Sequence, residues 1–311
     1  MPSLHKSYCP PKVPHFTGRQ MECDKITGHV TSGSARIVSI WGPPGFGKTS
    51  VAIAVGNHLL SLGFSVYFLS LPGLQSIPDL AFNIVSLFTR PVLSDEQQQQ
   101  KCLSIDDELS HLLSEISQRT VLILDHADDV LSGGPNMNEN LTQFLENNPV
   151  STEKVAFVVT TREPLEFTKA QFQDHLEVRI CHLKECSSKT LVQKLVPNAT
   201  VSDCARITQI CGNIPLAINV LCSFISEVYV QPSQSLDDFA RSLETNSTVL
   251  EMLTNPEYPS NRRLKLLFNY WFQGFSAKEK EDLVSLSVLT ESFDLKDAAA
   301  VLEYVNHRRI R

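Results

Sequence analysis

A glycine-rich turn between a strand pattern and a helix pattern constrains this chain more than any other stretch. Residues 42–49 read Gly-Pro-Pro-Gly-Phe-Gly-Lys-Thr and fit the P-loop pattern G-x-x-x-x-G-K-[ST]. The apolar run 36–41 predicts a buried strand before it, and apolar residues at helical spacing from Val51 to Leu62 predict a helix after it. This order predicts a phosphate cradle, because the turn's N–H groups and the helix N-terminus both attract an anion.

The P-loop and two strand ends predict the residues that would handle a phosphate chain. We expect Lys48 at the β- and γ-phosphates and the Thr49 hydroxyl on Mg²⁺. Asp125 ends a third predicted strand, 120–125, where a second carboxylate for Mg²⁺ is expected, although a plain turn residue is the alternative. Arg162 follows a fourth predicted strand and is expected to sense the γ-phosphate, although a surface arginine is the alternative.

The residue after Asp125 decides how well this site should hydrolyse a nucleotide. Many ATP-hydrolysing proteins carry an acid there, and this chain carries His126. A neutral imidazole accepts a proton in principle, so His126 is the only catalytic candidate, but fast hydrolysis is not expected without a carboxylate. The nearby Asp128 and Asp129 are expected to point elsewhere.

Composition and charge exclude several classes of protein. The 311 residues suggest two or three units, and the net charge of −7 makes nucleic acid an unexpected partner. No apolar run approaches the roughly 18 residues of a membrane span, and the polar N-terminus has no signal-peptide core. Eight cysteines without a C-x-x-C pair indicate reduced thiols, so we expect a cytoplasmic protein.

The fold prediction follows from the alternation of patterns along the chain. Strands alternate with helices as far as residue 185, which predicts an α/β fold with a parallel five-stranded sheet and helices on both faces. Ser104 and Ser276 are expected to cap helices, and Pro215 to begin one. The predicted segments are a disordered lead-in (1–15), a P-loop nucleotide-binding domain (16–185), a small helical domain (186–230), a linker (231–260) and an incomplete all-α domain (261–311).

Five motifs in order resemble the NB-ARC module, the nucleotide switch of STAND-type P-loop proteins. That family includes apoptosome-forming proteins and plant disease-resistance receptors. The matching stretches are 16–20 (similar to Val-Gly-Arg-Glu beside adenine), 42–49 (Walker A), 121–129 (Walker B), 160–162 (first sensor) and 211–217 (similar to Gly-Leu-Pro-Leu). Residues 269–302 resemble the opening helices of a winged-helix domain, within which the chain is expected to be truncated, before any Met-His-Asp segment.

The resemblance implies a function and a site. ADP or ATP would bind with Mg²⁺; ADP would hold the α/β and helical domains closed, and exchange for ATP would drive opening and self-association in apoptotic or innate-immune signalling. Effector or repeat domains would be missing from this chain. The implied nucleotide-binding residues are Phe16, Thr17, Arg19, Gly42, Pro43, Gly45, Phe46, Gly47, Lys48, Thr49, Ser50, Asp125, Arg162, Pro215 and Leu216, with Thr49 and Asp125 on Mg²⁺.

Two alternatives to a switch stay open. The first is an active P-loop enzyme, either a small-molecule kinase or a motor ATPase; a motor would need a carboxylate at position 126. The second is a degenerate module that binds nucleotide weakly, for structure only.

Overall fold

A computed structural model describes ten parts of the chain, which divides into two compact units, Met1–Leu191 and Val192–Arg311. The described residues are 8–74, 76–88, 104–134, 136–148, 154–167, 174–228, 269, 272, 276–287 and 296–302. The predicted linker 231–260 lies outside them, as does most of the predicted domain 261–311.

The first unit alternates strands and helices. Its helices are α1 (Gln20–Ser32), α2 (Lys48–Ser61), α3 (Ile77–Phe88), α4 (Ile105–Ser114), α5 (Asp128–Leu131) and α6 (Met137–Asn147), and α7 (Glu185–Leu195) crosses the boundary between the units. Its strands are β1 (Ile37–Trp41), β2 (Ser65–Ser70), β3 (Thr120–Asp125), β4 (Val155–Thr161) and β5 (His175–Arg179). The short helix α5 was not predicted.

The five strands form one parallel sheet in the order β2-β3-β4-β1-β5, which confirms the predicted α/β fold. Every residue of β3 and β4 is buried, as expected for central strands covered on both faces. In β5, buried Leu176 and Val178 alternate with exposed Glu177 and Arg179, because this edge strand is covered on one face only.

Helices cover both faces of the sheet. On one face, α3, α4 and α6 pack with alternate strand residues into a large apolar core centred on Phe157, Leu122 and Leu124. On the other face, α2 packs on β1–β4 and α1 packs on α2. The Ser104 hydroxyl accepts the Asp107 N–H and caps α4, as predicted.

The N-terminal segment differs from the expected disordered lead-in over 1–15. Tyr8 forms a parallel bridge to Tyr67 of β2, and its N–H donates to Val66 O at 2.8 Å. The Asn57 amide of α2 donates to Pro10 O at 2.8 Å. Tyr8–Pro10 are ordered because the free edge of β2 supplies backbone partners that the sequence pattern of 1–15 does not reveal.

The described part of the second unit is helical. Helix α8 (Val201–Ile210) begins with a capping box formed by Thr200 and Asp203, and α9 (Pro215–Val228) packs against it. A third helix, α10 (Ala277–Leu286), has the predicted Ser276 capping box, and residues 296–302 are also helical.

Across the described residues, no helix combines the length and the apolar character that a membrane crossing requires.

Candidate functional site

Three neighbouring strands deliver the predicted phosphate-handling residues to one edge of the sheet. The P-loop follows β1, Asp125 ends β3 and Arg162 comes directly after β4. In the observed order β3-β4-β1 these ends are adjacent, and all three strands are parallel. The carboxyl edge of a parallel sheet is where ligands bind in open α/β folds.

The P-loop backbone requires glycine. Gly42, Gly45 and Gly47 have φ angles of 148°, 80° and 91°, a region that residues with a side chain rarely adopt. A Cβ on Gly42 would lie 2.3 Å from Ile180 O, so a larger residue there would collide with the backbone after β5. Helix α2 begins at Lys48, directly after Gly47, so its unpaired N–H groups face the loop.

Lys48 is turned onto its own loop. Its ammonium donates to Gly42 O at 2.8 Å and to Pro43 O at 3.2 Å. Partial burial lowers the pKa of Lys48; the charge of Asp128 raises it, and that of Arg162 lowers it.

Asp125 is buried and accepts hydrogen bonds from three segments. Its Oδ1 accepts the Thr49 hydroxyl at 2.9 Å and the Thr160 hydroxyl at 2.6 Å. Its Oδ2 lies 2.8 Å from His126 Nδ1. The Thr49 hydroxyl and the Asp125 carboxylate thus form a pair of hard oxygen ligands beside the P-loop, the donor chemistry that Mg²⁺ prefers. The predicted pair Thr49 and Asp125 is brought together.

His126 is tied to Asp125 through both its backbone and its ring. It has a left-handed φ of 61°, and its N–H donates to the Thr160 hydroxyl at 3.0 Å. Because a carboxylate only accepts, ring Nδ1 carries the proton that bonds to Asp125. The hydrogen bond to Asp125 raises the pKa of His126. With Nδ1 as the donor, Nε2 is the ring nitrogen of the neutral imidazole that remains to accept.

Asp128 lies in the site, so the expectation that it points elsewhere is wrong. Its Oδ1 accepts the backbone N–H of Arg162 at 2.6 Å, and its Oδ2 lies 3.6 Å from Nε of the Arg162 side chain. The short helix α5 begins at Asp128 directly beside the end of β4, because the Ala127 N–H donates to Thr160 O at 3.0 Å. Asp129 does point away, toward the Gly73 N–H at 2.8 Å.

Arg19, directly before α1, forms a hydrogen bond to the P-loop backbone. Arg19 is 5% exposed, and its guanidinium donates to Phe46 O of the P-loop at 3.1 Å and to Cys181 O. Its other partner is the Glu22 carboxylate at 3.0 Å. Through these contacts Arg19 connects the P-loop to the segment that follows β5.

The other predicted residues fall into two groups. Around the P-loop, Phe46 is buried, whereas Phe16, Thr17, Pro43 and Ser50 are half-buried. In the second unit, Pro215 begins α9 as predicted and Leu216 is 40% exposed. The turn before them uses left-handed Gly212 and Asn213.

Comparison with known proteins places the fold among P-loop ATPases. Residues 31–167 match the model of the AAA domain family. A STAND protein with a tetratricopeptide repeat sensor from Pyrococcus horikoshii superposes with a TM-score of 0.56 at 17% identity, covering 94% of this chain and 37% of that one. A Walker-type ATPase of Pyrococcus abyssi gives a TM-score of 0.55 at 14% identity, with coverage of 96% and 91%.

Two curated relatives are similar in sequence. An uncharacterized WD repeat-containing protein from Nostoc sp. is 24% identical over 238 residues, which are 70% of this chain and 18% of that protein. Disease resistance protein RPV1 from Vitis rotundifolia is 25% identical over 203 residues, 63% of this chain and 14% of that protein. The chain thus spans less than a fifth of these relatives. Residues 31–167 are thus similar to the AAA domain family, and the fold is that of P-loop NTPases.

Proposed function

We propose that this chain is a cytoplasmic, nucleotide-dependent signalling switch of the NB-ARC type. ADP with Mg²⁺ holds it closed at rest, and exchange for ATP opens it and exposes a self-associating surface. The observation that carries this proposal is the convergence of Lys48, Thr49, Asp125 and Arg162 on one sheet edge. The Pyrococcus protein of the STAND class and the plant disease-resistance relative support a signalling role over a metabolic one.

The residues fit a magnesium nucleotide. The P-loop N–H groups and Lys48 would bind the phosphates, and Thr49 with Asp125 would hold Mg²⁺, which supplies charge neutralisation when bound. Lys48 is already oriented toward the loop by two carbonyl groups. Arg162, whose side chain is 62% exposed, would turn from Asp128 toward a γ-phosphate.

A switch has to hold its nucleotide without hydrolysing it quickly, and the residue after Asp125 bears on that rate. The residue after Asp125 is a histidine held against Asp125, and that hydrogen bond raises its pKa. The site therefore lacks the carboxylate that many ATP-hydrolysing proteins place directly after this strand-end Asp to activate water. We therefore expect long nucleotide residence and slow turnover at most. In this proposal Pro215 and Leu216 of the second unit contribute to nucleotide binding in the ADP state.

Ligand-induced stabilisation tests nucleotide binding directly. ADP with Mg²⁺ at about a hundred times its dissociation constant should stabilise the wild-type chain by about 2.7 kcal/mol, which corresponds to a melting-temperature rise of roughly 5–10 °C. Lys48→Ala should lose this rise, because it removes the phosphate-binding ammonium. Lys25→Ala is the matched control, since Lys25 is exposed on α1. A folded wild-type protein that neither ADP nor ATP stabilises would contradict the proposal.

A P-loop ATPase is the second candidate, favoured by the match to the AAA domain family. Steady ATP turnover well above about 1 s⁻¹, in the ordinary range of enzymes, would support it over the switch. Phosphate release measured under saturating ATP and Mg²⁺ decides between the two.

A further inference from the structure

Asp128 and Arg162 form a pair at the edge of the site, and of the two the proposed nucleotide role uses only Arg162. The pair has two contacts. Asp128 Oδ1 accepts the backbone N–H of Arg162 at 2.6 Å, and Asp128 Oδ2 lies 3.6 Å from Nε of the Arg162 guanidinium. Asp128 is well covered, with 14% of its side chain exposed, whereas Arg162 is 62% exposed. The carboxylate is therefore held by its bond to the backbone of Arg162, and the guanidinium is the more exposed partner.

The same pair lies beside the proposed Mg²⁺ ligand Asp125. The Thr160 hydroxyl, two residues before Arg162, donates to Asp125 Oδ1 at 2.6 Å, and the N–H of Ala127, the neighbour of Asp128, donates to Thr160 O at 3.0 Å. Both charges thus lie at the strand ends that carry the proposed nucleotide site. The negative charge of Asp128 at this place repels an incoming phosphate and attracts the Arg162 guanidinium that would bind the phosphate.

We propose that Asp128 determines nucleotide selectivity: its carboxylate competes with the terminal phosphate of ATP for Arg162 and so favours ADP. The inference rests on the proposed function and deepens it. ADP has no γ-phosphate, so it leaves the Asp128–Arg162 pair intact. ATP gains its contact with Arg162 only when that pair is broken or weakened. The strength of the pair therefore sets how much less tightly ATP binds relative to ADP.

The chain offers a matched control for this inference. Asp129 is the next residue and carries the same side chain, but it accepts the Gly73 N–H at 2.8 Å and not Arg162. Asp128→Asn removes the charge and keeps an Oδ1 acceptor for the Arg162 N–H, so the turn keeps its hydrogen bond.

The experiment measures dissociation constants for ADP and for a non-hydrolysable ATP analogue, both with Mg²⁺, in wild type, Asp128→Asn, Asp129→Asn, Arg162→Ala and the Asp128→Asn/Arg162→Ala double variant. Asp128→Asn should raise analogue affinity relative to ADP about two- to five-fold, the range that an exposed ion pair supports. Asp129→Asn should leave the ratio unchanged. In the Arg162→Ala background, Asp128→Asn should have no effect on the ratio, because the competitor has lost its target.

Two outcomes overturn the inference. One is an unchanged ratio in Asp128→Asn. The other is an equal change with and without Arg162, which would show that Asp128 acts on the phosphate directly. If wild type binds neither nucleotide, the proposed function itself fails; if it binds both and the ratio is indifferent to Asp128, only this inference fails.

Discussion

At the scale of single residues, Asp125 is the point where distant parts of the chain meet. Its carboxylate accepts from Thr49 at the start of α2 and from Thr160 in β4, and it contacts its own neighbour His126. The end of a predicted strand indicates Asp125, and the P-loop pattern indicates Thr49. The role of Thr160 does not follow from its position in the sequence, because it depends on β4 lying next to β3.

Replacing Thr160 with valine should destabilise the protein. The change keeps the shape but removes the donor to Asp125 and the acceptor for the His126 N–H. Since Thr160 is 1% exposed, we expect the free energy of unfolding to fall by about 1–3 kcal/mol, the cost of leaving buried polar groups unpaired. Urea denaturation measures it. Thr31→Val, on the surface-facing end of α1, should stay within about 0.5 kcal/mol; equal effects of the two variants would contradict the assignment.

His175 gives the protein a dependence on acid. Its Nε2 lies 2.8 Å from the Ser39 hydroxyl, and its ring packs against Phe167. Burial lowers the pKa of His175 below its ordinary value of 6.5, and the charge of Glu177 acts the other way. The unfolded chain therefore binds a proton at His175 more readily than the folded chain does. The contribution of His175 to the free energy of unfolding is fully present above pH 6.5 and is lost as the pH falls through the lowered pKa of the folded state.

We expect the melting temperature to fall less steeply below about pH 6.5 in His175→Gln than in wild type. Thermal unfolding across about pH 5 to 8 tests this. His111→Gln is the control, because that ring is exposed on α4. A wild-type slope retained in His175→Gln would rule out the assignment.

At the scale of elements, α2 is positioned by a glycine that sequence reasoning passed over. A Cβ on Gly56 would lie 2.7 Å from Ile123 Cδ1 and 2.8 Å from Cys9 Sγ. Helix α2 therefore lies unusually close to β3 and to the N-terminal segment at this point. The close approach holds the helix that carries Lys48 and Thr49 against the sheet.

A pair of glycine substitutions separates this packing from helix propensity. Gly28→Ala in α1 meets nothing within 4 Å and should stabilise the protein by about 0.5–1 kcal/mol, since glycine is a poor helix former. Gly56→Ala gains the same propensity but overpacks the interface, so we expect a net loss of about 1–2 kcal/mol. Chemical denaturation of both variants measures the difference; stabilisation by Gly56→Ala would mean that α2 has room to move.

At the scale of the whole molecule, the chain divides into an α/β unit and a helical unit. The proposed switch predicts that nucleotide identity controls association. We expect the ATP analogue with Mg²⁺ to raise the sedimentation coefficient of the wild-type chain, and ADP to leave it at the monomer value. Lys48→Ala should stay monomeric in both. Sedimentation independent of nucleotide would contradict self-association in the ATP state.

Local patterns were sufficient to predict much of this protein. The P-loop, the strand ending at Asp125 and the cap at Ser276 all rest on residues close together in the chain, where spacing and side-chain type decide the structure. Strands β1 and β3 are where their apolar runs predict them, because strands buried on both faces need nearly continuous apolar residues.

The tertiary structure alone decided what happens between segments. The order β3-β4-β1 puts Asp128 against Arg162 and Thr160 against Asp125, and the free edge of β2 orders Tyr8. No local pattern encodes these contacts, because each needs a partner brought close by strand order. The sequence by itself therefore determined that a phosphate-binding loop exists here, whereas the folded sheet decided which charges face it.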